Sequence, residues 1–371
     1  MKFSIEREAL LKPLNLVAGV VERRQTLPIL ANVLISVADG KLSLTGTDLE
    51  VELLGSVSLE GEYVSGEITV PARKLADICK SLPDGSVFDL ALDGDKAIVK
   101  SGRSRFTLAT LPAVDFPLME TGAAAIQVNV NQPSLKKLID SAGFAMAQQD
   151  VRYYLNGMLW EISANALKLV ATDGHRLALG ELQGVESSGE KQIILPRKAV
   201  LEVARLMSDS EQLVTIELGD THFKATTGDF VFASKLVDGK FPDYDRVIPR
   251  NSDKLVIAQR EDLRSALART AILSNEKFRG VRLTLASGEL TIQANNPEQE
   301  EAVETLAVDY QGDTLEVGFN VSYLLDVLQT VSTELVQLSL ADANSSALLE
   351  AGVGDEAQSL TAMYVVMPMR L

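Results

Sequence analysis

The sequence predicts an α+β chain of three tandem similar domains, each with two helices on one face of antiparallel sheets. A hairpin pattern recurs at a spacing of about 125 residues, a helical pattern follows each hairpin at a matching offset, and another helical pattern precedes each one. Three separate elements repeating in one order argue for duplicated domains rather than chance similarity. At 371 residues the chain is too long for one ordinary core, and three domains of about 120 residues each suit the usual domain size. The predicted boundaries are 1–125, 126–253 and 254–371.

The first helical pattern pairs Leu10 with Leu14, Leu135 with Ile139, and Leu263 with Leu267, each at the i, i+4 spacing of one face. In the first repeat it spans Ile5 to Val21 and is interrupted by Pro13, which removes an N–H and crowds the preceding turn. The hairpins follow: Leu27–Asp48, the central stretch Arg152–Leu177, and Glu276–Asn295. Their matched anchors are Leu42, Leu167 and Leu290, then Leu44, Leu169 and Ile292, then Asp48, Asp173 and Asn296. The second helices are VPARKLADICKSL from Val70, LPRKAVLEVARLM from Leu195 and FNVSYLLDVLQTV from Phe319. Pro71 and Pro196 stand at the first turn of these segments, and Asn320 is the matching cap in the third. Phe116-Pro117 and Phe241-Pro242 close the first two repeats. Trp160, the only tryptophan, is expected in the core.

No basic, then apolar, then small-residue order opens the chain, and no apolar run approaches the roughly 18 residues of a membrane span. A cytoplasmic protein with no membrane partner is expected. Cys79 is the one cysteine, so no internal disulfide can form, and core packing on the second helix is its expected role. The formal charge of −16 argues, taken alone, against nucleic acid. Its distribution argues otherwise: the helices with Arg73, Lys74 and Lys80, and with Arg197, Lys198 and Arg205, are net positive, so the acidic excess lies elsewhere. Helices sharing one face would make that face basic; ordinary solvated helix charge is the other reading.

Chemistry-bearing clusters are few. Thr172-Asp173-Gly174-His175-Arg176-Leu177 is the one stretch that invites thoughts of nucleophilic catalysis. With two histidines in the chain and no GxSxG, HExxH, Walker or GxGxxG motif, it reads first as a polar turn. Glu298, Glu300, Glu301 and Glu304 lack EF-hand spacing, and alternation puts Glu298, Glu300 and Glu304 on one side as a face for basic residues. No catalytic residue, metal ligand or cofactor is implied. In the strand SGRSRFTLATL, alternation separates Arg103 and Arg105 from Ser104, Phe106 and Leu108. At a sheet edge this strand would offer backbone pairing, an apolar row and two positive charges to another chain. The terminal Tyr364–Leu371 stretch is apolar apart from Arg370, with Val365 and Val366 expected partly in a core strand. Met367, Pro368 and Met369 suit a surface that adapts to several apolar partners.

The runs RYYLNGML, VATDGHRLA, SKLVDGKFPDY, AILSNEKFRGVRL, NNPEQEEA and YVVMPMRL resemble the bacterial β sliding clamp family, the processivity subunits of the replicative DNA polymerase III. The resemblance covers the whole chain and is looser at Gly19–Gln25 and Ala341–Gln358. It implies a DNA clamp fold: a non-enzymatic head-to-tail homodimeric ring with helices lining the hole and sheets outside. Its implied partners are double-stranded DNA, a second copy of the chain, the polymerase III catalytic subunit, the clamp loader, and translesion polymerases and mismatch-repair proteins carrying short linear motifs.

The implied peptide cleft, between the second and third domains, comprises Leu155, Thr172, Gly174, His175, Arg176, Leu177, Pro242, Arg246 and Val247, joined by Val365, Val366, Met367, Pro368, Met369 and Arg370. The implied DNA contacts are Arg24, Arg73, Gln149, Tyr153 and Tyr154, to which charge adds Lys198 and Arg205; of the two tyrosines, one is expected in the hairpin core. Head-to-tail closure would bring Lys74, Arg103, Arg105, Phe106 and Leu108 against Ile272, Leu273, Glu298, Glu300 and Glu304. A ring that slides needs diffuse attraction to phosphates rather than base readout, and weakly basic helices supply that. Two other classes remain: a monomeric three-domain peptide adaptor, and an acidic enzyme using the carboxylates around Glu300.

Overall fold

The computed structural model describes residues 1–21, 27–352 and 359–370. Among them, the two helices of each repeat are α1 (Arg7–Ala18), α2 (Ala72–Ser81), α3 (Gln132–Gly143), α4 (Arg197–Leu206), α5 (Arg260–Thr270) and α6 (Val321–Thr330). The three hairpins pair Asn32–Ala38 with Lys41–Thr47, Gly157–Ile162 with Ala166–Thr172, and Gly280–Ala286 with Glu289–Asn295. The matched leucine and isoleucine anchors of all three are buried. Each repeat also opens on a strand that the helical spacing hid: Lys2–Glu6, Ile126–Asn131 and Lys254–Gln259. Ile5 therefore belongs to a strand and the first helix starts at Arg7. These strands are five or six residues long, too short for alternation to compete with the helical pattern beside them.

All strand pairings within the named sheets are antiparallel, and the chain divides into two compact units. The first, residues 1–132 and 205–236, holds two sheets. One has four strands in the order Lys2–Glu6, Val87–Asp93, Lys96–Ser101, Ser104–Ala109. The other has eight: Gly66–Pro71, Asn32–Ala38, Lys41–Thr47, Val51–Ser58, Phe230–Lys235, His222–Thr226, Leu213–Leu218, Ile126–Asn131. The second unit, residues 133–204 and 237–371, holds an eight-stranded sheet ordered Lys191–Pro196, Gly157–Ile162, Ala166–Thr172, Arg176–Gln183, Leu360–Val366, Ala347–Ala351, Leu335–Leu340, Lys254–Gln259. Its four-stranded sheet runs Glu301–Ala307, Glu289–Asn295, Gly280–Ala286, Leu315–Asn320. The middle repeat thus contributes one set of strands to each unit, which is why two compact units hold three sequence repeats.

The helices are amphipathic for a plain reason: their small and aliphatic residues fall on one stripe. On α2, Leu75, Ala76 and Cys79 are buried while Arg73, Lys74, Asp77 and Lys80 are exposed. Asn320 caps α6, its side chain accepting the Ser322 N–H at 2.9 Å. Pro71 and Pro196 end strands one position before their helices, where the fixed φ still directs the turn. Trp160 is fully buried.

Pro13 does not end α1, which continues through it to Ala18. The pyrrolidine is buried against Gly55 on the strand Val51–Ser58, and a Cβ added at Gly55 would lie 3.0 Å from Pro13 Cβ and 3.2 Å from its Cα. Gly180 occupies the corresponding place beneath α3, facing Leu138 and Ser141. The glycines set how closely helix and sheet approach. Gly55→Ala is expected to destabilise the protein by about 1–3 kcal/mol, because a rigid ring and backbone atoms must yield. A thermal or denaturant melt checks this; an unchanged midpoint would mean the contact is slack.

Candidate peptide-binding cleft

The cleft is built on the turn between the strands Ala166–Thr172 and Arg176–Gln183. Asp173 Oδ1 accepts the N–H groups of His175 at 2.9 Å and Arg176 at 3.0 Å. The Thr172 hydroxyl donates to the Arg176 carbonyl at 2.6 Å and accepts the Gly174 N–H at 3.1 Å. Gly174 sits at φ +89°, which only glycine adopts freely. Asp and Thr close this turn because short oxygen-bearing side chains satisfy local backbone donors.

Arg176 then locks the turn to its surroundings. Its Nε donates to Asp173 Oδ2 at 3.1 Å, its Nη2 to the Phe144 carbonyl at 2.9 Å, and its Nη1 to Asp326 on α6. The guanidinium also lies 4.7 Å from the Tyr323 ring centroid and 5.2 Å from that of Phe144. A cation held this fully acts as a brace, and Tyr323, Asp326 and Phe144 are the supports that sequence reasoning missed. His175 stacks on Tyr323 with centroids 6.3 Å apart and planes 17° apart. The terminal segment closes the same side: Met367 N–H donates to the His175 carbonyl, and Met369 N–H to the Gly318 carbonyl, both at 2.9 Å.

Beneath these groups lies a buried apolar cluster that includes Leu155, Leu177, Val365, Phe241 and Tyr244, with Tyr154 and Val247 packed against it. The Tyr244 hydroxyl donates to Glu161 Oε2 at 2.6 Å, and burial followed by that hydrogen bond pushes its pKa up. Of the other cleft residues, Val366 is wholly buried in its strand, while Pro368 and Met369 are half-buried. His175, Pro242, Arg246, Met367 and Arg370 are exposed. An apolar floor ringed by adaptable thioethers and fixed polar groups fits a short peptide with bulky side chains.

Beside the turn, Arg152 forms a two-point pair with Asp150, at 3.0 Å from Nε and 2.8 Å from Nη2, and reaches the Asp173 carbonyl at 3.1 Å. The Arg152 guanidinium holds the Asp150 carboxyl down at about 2. A carboxylate depressed on folding from an unfolded value of about 3.9 stabilises the fold fully above that pH, and the contribution is lost as pH falls through about 2. Asp150→Asn is therefore expected to flatten the acid limb of the stability curve in that window and leave its slope near neutrality unchanged, read by melts across pH.

Among the residues assigned to DNA, Arg24 lies outside the described residues. Arg73 is exposed on α2, its Nη2 3.4 Å from the Val21 carbonyl. Arg205, exposed at the end of α4, donates to the Leu16 carbonyl in the last turn of α1 at 3.2 Å, where a cation also suits the helix dipole. Lys198 is half-buried on α4. Gln149 is exposed with φ +58°. Tyr153 is 57% exposed while Tyr154 packs on the cluster, so the pair divides between surface and core.

Of the residues assigned to self-association, Arg105, Phe106, Leu108 and Glu304 fall on two edge strands, one in each unit. In the first unit Ser104–Ala109 is the edge of its four-stranded sheet, with Leu108 buried, Phe106 half-buried and Arg105 exposed. Arg103 stands in the turn before it rather than in the strand, because Gly102 at φ +54° reverses the chain there. Lys74 is exposed on α2. In the second unit the edge is Glu301–Ala307, and Ile272, in the one-turn extension of α5, is 76% exposed beside half-buried Leu273. Glu298 and Glu300 precede this strand in a turn, so alternation does not reach them; Asn296 Nδ2 donates to Glu300 at 2.6 Å. Glu304 is half-buried and engaged by Arg269 at 2.6 and 2.9 Å, which lowers its pKa.

Three repeats of paired helices on antiparallel sheets, with an apolar cluster beneath the Thr172–Arg176 turn, define a protein of the DNA clamp class. The chain belongs to the DNA polymerase III beta subunit family, whose N-terminal, central and C-terminal domains match residues 1–120, 129–243 and 245–370. It is 62% identical to the beta sliding clamp of Pseudomonas putida and 51% identical to that of Escherichia coli, in both cases over all of each chain. Two solved structures from Pseudomonas aeruginosa cover the whole of both chains at 60% identity: a DNA polymerase III subunit beta, TM-score 0.97, and a sliding clamp bound to griselimycin, TM-score 0.96. The chain is thus a non-catalytic processivity subunit, a sliding clamp that binds DNA and tethers the polymerase. Among the described residues no helix is long and apolar enough to cross a membrane.

Proposed function

We propose that two copies of this chain close head to tail, the edge Ser104–Ala109 of each meeting the edge Glu301–Ala307 of the other, to form a ring around duplex DNA. The observation that carries this is the pair of open edges. Each offers unpaired backbone groups and apolar side chains, with Arg103, Arg105 and Lys74 near one and Glu298 and Glu300 near the other. Unlike faces form a two-membered ring when the rotation between copies closes, and opposite charge selects the partner face.

In this reading residues 1–125, 126–253 and 254–371 are the three clamp domains, and the protein works in the cytoplasm. Arg24, Arg73, Lys198 and Arg205 attract phosphates diffusely and Gln149 and Tyr153 add local hydrogen bonds to them, so the ring slides without reading sequence. The cleft around Leu155, Leu177, His175 and Met367 takes the linear motifs through which the polymerase, the clamp loader, translesion polymerases and mismatch-repair proteins compete.

Sedimentation at sub-micromolar concentration tests the ring: a mass twice that of the 40.1 kDa chain is expected, and a stable monomer would favour the adaptor. Reversing Arg73, Lys198 and Arg205 to Glu is expected to shorten retention on circular DNA and flatten its salt dependence. Each lost phosphate contact lowers the log–log slope by about one. Unchanged retention would mean these helices do not face DNA.

A further inference from the structure

The frame of the cleft exists twice. In the first unit Asp48 Oδ1 accepts the N–H groups of Glu50 at 2.9 Å and Val51 at 2.8 Å, as Asp173 Oδ1 accepts those of His175 and Arg176. The Thr47 hydroxyl donates to the Val51 carbonyl at 2.8 Å and accepts the Leu49 N–H at 3.1 Å, matching Thr172 bond for bond. Leu49 stands at φ +78° where Gly174 stands at +89°, so the turn keeps its shape against the preference of a side chain. The end of the neighbouring strand docks alike too: Lys235 N–H donates to the Glu50 carbonyl at 3.0 Å, as Met367 N–H does to that of His175.

The two frames differ in where the following linker is fastened. In the second unit the linker after Phe241-Pro242 is pinned by Tyr244 to Glu161, two strands away from Leu177, which stays in the apolar cluster. In the first unit the position of Leu177 is taken by half-buried Glu52, and Glu52 Oε2 accepts the Met119 N–H at 2.8 Å. The linker after Phe116-Pro117 is thereby tied to the residue that would otherwise be floor. Leu49 and Leu118, 40% and 59% exposed, flank the tie.

From this contrast we infer that the chain carries a second copy of the peptide cleft, between Thr47–Val51 and Lys235, occupied in cis by its own Phe116–Met119 linker and closed to partner peptides by Glu52. The inference rests on the peptide reading of the first cleft. It explains how duplicated domains leave one groove per chain: a carboxylate in the floor recruits a backbone donor from the linker, where an aliphatic floor leaves the groove to outside chains.

Hydrogen exchange across residues 116–121 in the full-length protein tests the tie, together with calorimetric titration of a glutamine-containing peptide with bulky apolar residues. Glu52→Leu is expected to speed exchange at Met119 at least tenfold, and Glu52→Ala serves the same purpose should the leucine variant not fold. Wild-type protein is expected to take one peptide per chain. Exchange that stays within twofold in the variant, or two peptides per wild-type chain, overturns the inference. No peptide bound by wild type would instead overturn the reading of the first cleft, and the exchange result would still decide whether Glu52 holds the linker.

Discussion

Removing residues 367–371 is expected to abolish binding of a linear peptide, with affinity falling by about 100-fold or more, while the dimer mass in sedimentation stays the same. The segment contributes Met367 at the rim and half-buried Pro368 and Met369, so its loss removes much of the apolar wall. It also removes the hydrogen bonds from Met367 to His175 and from Met369 to Gly318, which hold the terminus across the turn. Losing apolar contact with two or three bulky side chains costs about 3–6 kcal/mol, and the lower figure alone is a loss of about 100-fold or more. The strand Leu360–Val366 stays in place, paired on both sides by Arg176–Gln183 and Ala347–Ala351, so the fold should survive. A dimer lost with the tail would contradict the assignment of these residues to the cleft.

A more selective variant separates the brace from the wall. Arg176 touches the turn, the end of α3 and α6 at once, and its ion pair with Asp326 is 12% exposed on the arginine side. It positions the turn rather than reaching out for a peptide, so its loss would show first in stability and in faster peptide dissociation.

The legible part of this molecule is what duplication makes redundant. Leu42, Leu167 and Leu290 could be aligned because each occupies the same inward position of the same hairpin, and all three are buried. The turn at Thr172–Arg176 was legible as a turn, from Asp and Gly in sequence, yet what holds it was not. Phe144 lies 32 positions from Arg176 and Tyr323 and Asp326 some 150, and nothing in a residue type says that so distant an arginine will lie on it. The opening strands were hidden for another reason: five or six residues of alternation carry less signal than the helix that follows. Alternation failed at Glu298 and Glu300 because it describes strands, and the strand begins only at Glu301. Even the repeat count, which the sequence shows plainly, does not reveal that the middle repeat divides its strands between two sheets of eight.

Ile272→Glu is expected to convert the dimer to monomer at concentrations where wild type stays closed, weakening self-association on the order of 30- to 1000-fold, the effect of losing a central apolar contact worth about 2–4 kcal/mol. Ile272 is 76% exposed in the isolated chain, on the one-turn segment that lies against the edge strand Glu301–Ala307, where a partner edge would cover it. The carboxylate would also join Glu298 and Glu300 on a face already acidic, so charge swapping provides the control. Arg105→Glu should weaken closure by a smaller factor, since rim charges act mainly on association rate, and Glu300→Arg in the same chain should restore part of it, because in a homodimer each edge carries one member of the pair. The structure separates Glu304 from this group: Arg269 already holds its carboxylate at two points, and partner charges must compete with that pair. Glu304→Gln is accordingly expected to change dimer affinity less than Glu300→Gln does. The reverse order, measured by sedimentation equilibrium of the two variants, would mean that closure releases Arg269 and recruits Glu304 across the joint.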